Sequence, residues 1–121
     1  MESKLETSVN EITAQRPFAV GNDLVHIADF RLSLTGLFKN KVYTPAEMAY
    51  CDRFSDSVQR YASTWAAKEA VYKAVKQLDA SPLGWRRIEI SRAKKAGIPT
   101  VVLPPHLKNY EVSLTISHDG D

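Results

Sequence analysis

Five polar residues sit where a purely structural chain has little use for them. Glu69 lies on the apolar stripe of a helix-patterned segment, four residues after Trp65 and three before Tyr72. A carboxylate in that position must be paired, protonated or bound to a cation, because burying it bare is costly. Lys68 and Lys73 flank it, Asp23 stands between the apolar runs Phe18-Ala19-Val20 and Leu24-Val25-His26-Ile27, and His118 shares the parity of Val112, Leu114 and Ile116. Hard carboxylate oxygens beside ammonium groups suit a metal–phosphate site, with Mg²⁺ on the carboxylates and the lysines on phosphate oxygens. Each residue also has a plainer account. Asp23 reads as a turn aspartate after Gly21, Glu69 and Lys73 as a solvated i,i+4 couple, and His118 as a satisfied core histidine. On residue type and spacing alone, both accounts stand.

The elements that must position these groups follow from periodicity. Val58 to Leu78 carries Val58, Tyr61, Ala62, Trp65, Tyr72 and Val75 at helical spacing with no Gly or Pro, which predicts a long central helix. Asp29 to Lys39 reads as one helix, with Phe30, Leu34, Leu37 and Phe38 on one side. Thr44-Pro45-Ala46-Glu47 predicts a capping box with Pro at the first helical position, launching a helix through about Cys51. Ser81-Pro82-Leu83-Gly84 breaks the pattern, and beyond it the period changes to two. Three strands are expected, at Trp85–Ser91, Thr100–Leu103 and Glu111–His118, with a turn at Gly97-Ile98-Pro99. Helices followed by a small, mostly antiparallel sheet make an α+β domain. Residues 1–16 are expected to form an extension, frayed or marginally helical through Leu5, Val9 and Ile12, before a domain over 17–121.

Composition narrows the function classes. The 121 residues are 44% apolar and 25% charged, with a net charge of +2, and suffice for one domain with its own core. The single cysteine, Cys51, excludes an internal disulfide and any cysteine-built zinc site. The charged N-terminus lacks the apolar run of a secretory signal and no stretch is long enough to span a membrane, so a cytoplasmic location is expected. Arg86, Arg87, Arg92, Lys94 and Lys95 form a basic run opposed only by Glu89. It suits an acidic partner or phosphates, or is one solvated strand face. Binding nucleic acid would need aromatic residues interleaved with the basic ones, and only Trp85 is offered.

Taken together, Val20-Gly21-Asn22-Asp23-Leu24-Val25-His26-Ile27 and Trp65-Ala66-Ala67-Lys68-Glu69-Ala70-Val71-Tyr72-Lys73-Ala74 resemble the two signatures of the holo-acyl-carrier-protein synthase family, the 4′-phosphopantetheinyl transferases. Val42 to Glu47 with Tyr50-Cys51, then Ile88-Glu89-Ile90, Gly97-Ile98-Pro99 and Ile116-Ser117-His118, follow in the family's order. The resemblance implies Mg-dependent transfer of the phosphopantetheine arm of coenzyme A to a serine of an apo acyl carrier protein. It places Asp23 and Glu69 as metal ligands, Glu69 as the candidate proton acceptor, Lys73 near the diphosphate and His118 at the coenzyme A 3′-phosphate. Lys68 joins them as a candidate coenzyme A contact. It further implies a homotrimer in which Asp23 and His118 come from one subunit and Glu69 with Lys73 from its neighbour. An acidic carrier protein would dock on the helix after the Asp motif, where Arg31, Lys39 and Lys41 are the basic candidates.

Three departures accompany the match. Gln77-Leu78-Asp79 replaces the family's usual Gly-Thr-Gly turn, and Asp29 stands near a common position for a carrier-docking arginine. The family also continues past the Ser-His motif with a final strand, which a chain ending at Asp121 is expected to lack. These departures keep a second reading in view, a catalytically silent module that binds coenzyme A or a carrier protein.

Overall fold

The computed structural model describes residues 18–92 and 98–117. The expected extension over 1–16, the turn residue Gly97, Lys94, Lys95 and His118 lie outside the described residues. Among the described residues four helices precede a two-stranded antiparallel sheet, in keeping with the α+β expectation: α1 (Ile27–Ser33), α2 (Gly36–Val42), α3 (Pro45–Cys51), α4 (Ser57–Leu78), β1 (Glu89–Ser91) and β2 (Thr100–Val102). Single 3₁₀ turns at Trp85–Arg87 and Pro105–Leu107 flank the sheet. In the sheet Ile90 pairs with Val101.

The predicted helix over 29–39 is in fact two. The backbone leaves the helix at Leu34, and Thr35 caps a new one by accepting a hydrogen bond from the Phe38 amide at 3.1 Å. A capping threonine followed by Gly36 offers the chain a better local solution than continuing through it. The capping box of α3 forms as its sequence predicts, with reciprocal bonds of 3.2 and 2.8 Å between Thr44 and Glu47. The predicted strand over 85–91 shortens to Glu89–Ser91 because Trp85–Arg87 close a 3₁₀ turn. Glu111 to Ser117 alternates as expected, with Val112, Leu114 and Ile116 half-buried and the intervening residues exposed, but it pairs with no strand among the described residues. Alternation fixes which side chains face inward; a strand also needs a ladder partner.

Helix α4 is the axis of the fold. Its upper half packs with Phe30, Val42, Tyr43 and Cys51. Its lower half packs with Leu83, Ile88, Ile90 and Leu107. The face it buries is Tyr61, Ala62, Thr64, Ala67, Lys68, Val71 and Val75, while Val58, Trp65 and Tyr72 are only half-buried. The true stripe is therefore rotated from the expected one, and a lysine sits in its middle. Lys68 is fully buried and bonds Glu47 at 2.7 Å and the Ile88 carbonyl. Glu47, also inaccessible, accepts from the amides of Thr44 and Ile90, each at 2.8 Å. One carboxylate thus ties the start of α3, the middle of α4 and β1 together, with every buried side-chain polar atom among the described residues satisfied. Burial draws the Lys68 ammonium below the ordinary lysine range, with the bond to Glu47 opposing the shift.

Lys68→Met leaves Glu47 charged and buried without its counter-ion. It is expected to cost about 3–5 kcal/mol in urea unfolding, and Glu47→Gln added to it should recover part of that loss. A Lys68→Met chain as stable as the parent would show that the pair does not hold these elements together.

Candidate active site

The site is built where the segment before α1 lies against the outer face of α4. Gly21 makes this possible. A Cβ added to it would stand 2.0 Å from the Ala70 carbonyl oxygen and 3.0 Å from the Ala74 amide nitrogen, so only glycine fits. Ala70 and Ala74 supply the matching small surface on the helix. Gln77 then donates from Nε2 to the Val20 carbonyl at 3.0 Å, and Lys73 reaches the Asn22 carbonyl at 3.5 Å. The apolar runs on either side of Asp23 form no strand, and Val20 and Leu24 face solvent at 75% and 97% exposure.

With the backbone pinned in this way, Asp23 meets two neighbours. Its Oδ1 accepts from Lys73 Nζ at 2.6 Å. Its carboxyl also acts on Glu69, which stands one turn before Lys73 on α4. Burial, then the hydrogen bond and the charge of Asp23, push the Glu69 carboxyl up from 4.5 to about 7, with Lys73 pulling the other way. Lys73 itself is raised, chiefly by its bond to Asp23. Two carboxylates and an ammonium therefore converge within one chain. The resemblance implied that Asp23 and Lys73 come from neighbouring subunits; here they meet within one.

Lys68 is corrected as well. Consecutive helix residues point in different directions, and Lys68 faces the interior, held by Glu47, with no surface from which to touch a phosphate. His118 lies outside the described residues, although Ser117 before it lines the same cleft as Asp23. That cleft, about 840 Å³, runs from Asp23 past His26 and Arg31 to Asp56 and Ser63. Asp29 is engaged by His26 through a 2.9 Å hydrogen bond, and Lys39 rests 4.7 Å above the Tyr61 ring. Of the basic run, Arg86 and Arg87 belong to the 3₁₀ turn and Arg92 lies on the Tyr50 ring. Cys51 is buried and its thiol is pushed up to about 11 by that burial, which removes it from reactive chemistry. Gly21 and Gln77 are the positioning residues that periodicity misses. Their trace in the sequence is the pairing of small Ala70 and Ala74 with polar Glu69, Lys73 and Gln77 at four-residue steps.

Comparison with known proteins gives this arrangement a family. The profile of the 4′-phosphopantetheinyl transferase superfamily matches residues 19–118, which takes in both halves of the site. The chain belongs to that superfamily. A holo-[acyl-carrier-protein] synthase of Chlorobaculum parvum is 42% identical over 104 residues, covering 83% of this chain and 87% of that one. One from Anaeromyxobacter dehalogenans is 35% identical over 114 residues, 84% of this chain and 86% of that one. Among solved transferase structures, the ACPS–CoA complex of Chronobacterium ammoniagenes aligns with a TM-score of 0.70 at 29% identity, over 88% of this chain and 91% of that one. The acyl carrier protein synthase of Mycobacterium tuberculosis aligns with a TM-score of 0.63 at 31% identity, over 85% and 88% of the two chains.

The raised Glu69 pKa makes stability pH-dependent in this transferase. Between 4.5 and about 7 the folded chain keeps a proton that the unfolded chain has released, so the contribution to stability is complete below pH 4.5 and is lost as pH rises through 7. In chelator, urea midpoints taken across that window should fall for the parent chain and flatten in Glu69→Gln. Equal slopes in the two proteins would contradict the assignment.

Proposed function

We propose that this chain is a holo-acyl-carrier-protein synthase that moves 4′-phosphopantetheine from coenzyme A to a serine of an apo acyl carrier protein. The observation that carries the reading is the convergence of Asp23, Glu69 and Lys73, with Asp23 lining a large cleft, in a chain whose relatives bear that name. In the reaction the serine oxygen bonds to the β-phosphorus of coenzyme A. The bond from that phosphorus to the bridging oxygen breaks, and 3′,5′-ADP leaves. The serine proton passes to Glu69, directly or through a water. An ionised carboxylate within reach of the serine hydroxyl is the group suited to this task. Lys73 places its positive charge against the diphosphate oxygens.

The donor set fits a hard divalent cation. Among the described residues no group of three or more His, Cys, Asp or Glu is gathered, but Asp23 and Glu69 offer adjacent carboxylates that repel each other without a cation, and these hard oxygens would hold Mg²⁺ together with oxygens of substrate and water. Mg²⁺ bound there would supply charge stabilisation for the departing diphosphate. Asp23 would then exchange part of its bond to Lys73 for the metal, freeing the lysine for phosphate.

Our reading of the assembly is a homotrimer, supported by the exposure of Phe18, Val20 and Leu24 beside the unpaired segment at 111–117. A neighbouring subunit would complete the coenzyme A side of the site, and His118 would stand at the 3′-phosphate. No helix among the described residues is long and apolar enough to cross a membrane, and we place the reaction in the cytoplasm.

Incubated with coenzyme A, Mg²⁺ and an apo acyl carrier protein, the chain should add one phosphopantetheine to the carrier by mass spectrometry, and a chelator should stop it. Glu69→Gln should lower the rate by about 10²-fold or more. A folded protein that binds coenzyme A yet modifies none of several carriers would leave the silent binding module in its place.

A further inference from the structure

Outside the carboxylate site, one surface gathers more positive charge than the fold uses. Tyr50, at the end of α3, and Phe54, in the turn after it, meet edge to face with centroids 5.1 Å apart. Three arginines lie on this pair. The Arg60 guanidinium is 4.0 Å from the Phe54 centroid, that of Arg92 is 4.6 Å from Tyr50, and that of Arg53 is 5.9 and 5.8 Å from the two rings. Arg60 has a carboxylate partner, Asp56, at 3.3 Å, and reaches the Tyr50 hydroxyl at 3.5 Å. Neither Arg53 nor Arg92 is in an ion pair among the described residues.

Stacking on a ring holds the flat side of a guanidinium and leaves its N–H edge directed outward, where it matches a carboxylate. A side chain already ordered in this way loses less freedom when a partner arrives. Arginine with tyrosine and phenylalanine is also the composition enriched in protein interfaces and their strongest contacts. Position adds to chemistry. Asp56, which anchors Arg60, also lines the cleft that runs to Asp23. Lys39 lies over Tyr61, whose hydroxyl bonds Asp52, the residue before Arg53.

We propose that Arg53, Arg60 and Arg92, arrayed on Tyr50 and Phe54, form a docking surface for the acidic face of the carrier protein, beside the cleft that receives its serine. This rests on the transferase reading above. It assigns carrier recognition to the turn between α3 and α4 as well as to the helix after the Asp motif.

The test is steady-state transfer to an apo acyl carrier protein by the parent chain and by R53E/R92E, with R53Q/R92Q alongside should the reversal fail to fold. Reversing both charges should raise the KM for the carrier about tenfold and flatten the salt dependence of kcat/KM, leaving the KM for coenzyme A unchanged. An unchanged carrier KM overturns the proposal. So does a rise confined to the KM for coenzyme A, which would put that cofactor's phosphates on the arginines. If the parent chain transfers nothing, the transferase reading fails separately. Direct titration of labelled carrier then decides: weaker binding by the double variant supports the docking surface, and equal binding overturns it.

Discussion

The buried bond between Lys68 and Glu47 fixes how the central helix is turned about its own axis, and the rest of the structure depends on that angle. A buried ion pair is weak as a source of net stability, since desolvation of both charges offsets their attraction. What it supplies here is an orientation that apolar packing alone specifies poorly. Lys68 has two partners from different elements, the Glu47 carboxylate and the Ile88 carbonyl, and Glu47 has amide donors from two more places in the chain. A rotation of α4 that moved Lys68 off this set would leave a charge and several buried polar groups unsatisfied. With Lys68 turned inward, Glu69, Lys73 and Gln77 face outward along one line, and Ala70 and Ala74 make a shallow groove beside them.

That groove turns the helix into half of a site. Gly21 lies against it at a separation no other residue allows, and Gln77 and Lys73 hold the carbonyls on either side. Asp23 is consequently delivered to Glu69 by backbone packing and not by attraction between the two groups, which repel when both are ionised. Burial first, and then the neighbouring Asp23, hold the Glu69 carboxyl at about 7, next to an aspartate bonded to a lysine. Two anions forced together by the fold are poised for a cation, and for a proton in its absence.

Much of this was legible before any coordinates. The helix from Ser57 to Leu78 and the capping box at Thr44 rest on local rules, and both form as those rules predict. The family signatures pointed at Asp23, Glu69 and Lys73, and the structure brings these three together. The failures have a common cause, which is that local patterns do not report tertiary partners. Lys68 looked like a phosphate ligand because its counter-ion is 21 residues away in sequence. Glu111 to Ser117 has the alternation of a strand without a ladder. Leu34 kept helical spacing while Thr35 was already capping the next helix. The role of Gln77, which the family comparison offers only as a departure from a glycine turn, appears once the Val20 carbonyl is seen above it.

The central claim is that close backbone contact at Gly21, and not the carboxylates themselves, sets the electrostatics of the site. The direct measurement is the titration of the Glu69 side-chain carboxyl by carbon NMR, in metal-free parent protein and in Gly21→Ala. The account predicts a midpoint near 7 in the parent. In Gly21→Ala the added methyl pushes the segment off α4, which displaces Asp23 and opens Glu69 to water, and the midpoint should fall towards the ordinary glutamate value of about 4.3. An unchanged midpoint in a folded Gly21→Ala protein would contradict the claim, because Asp23 would then reach Glu69 without the contact said to place it.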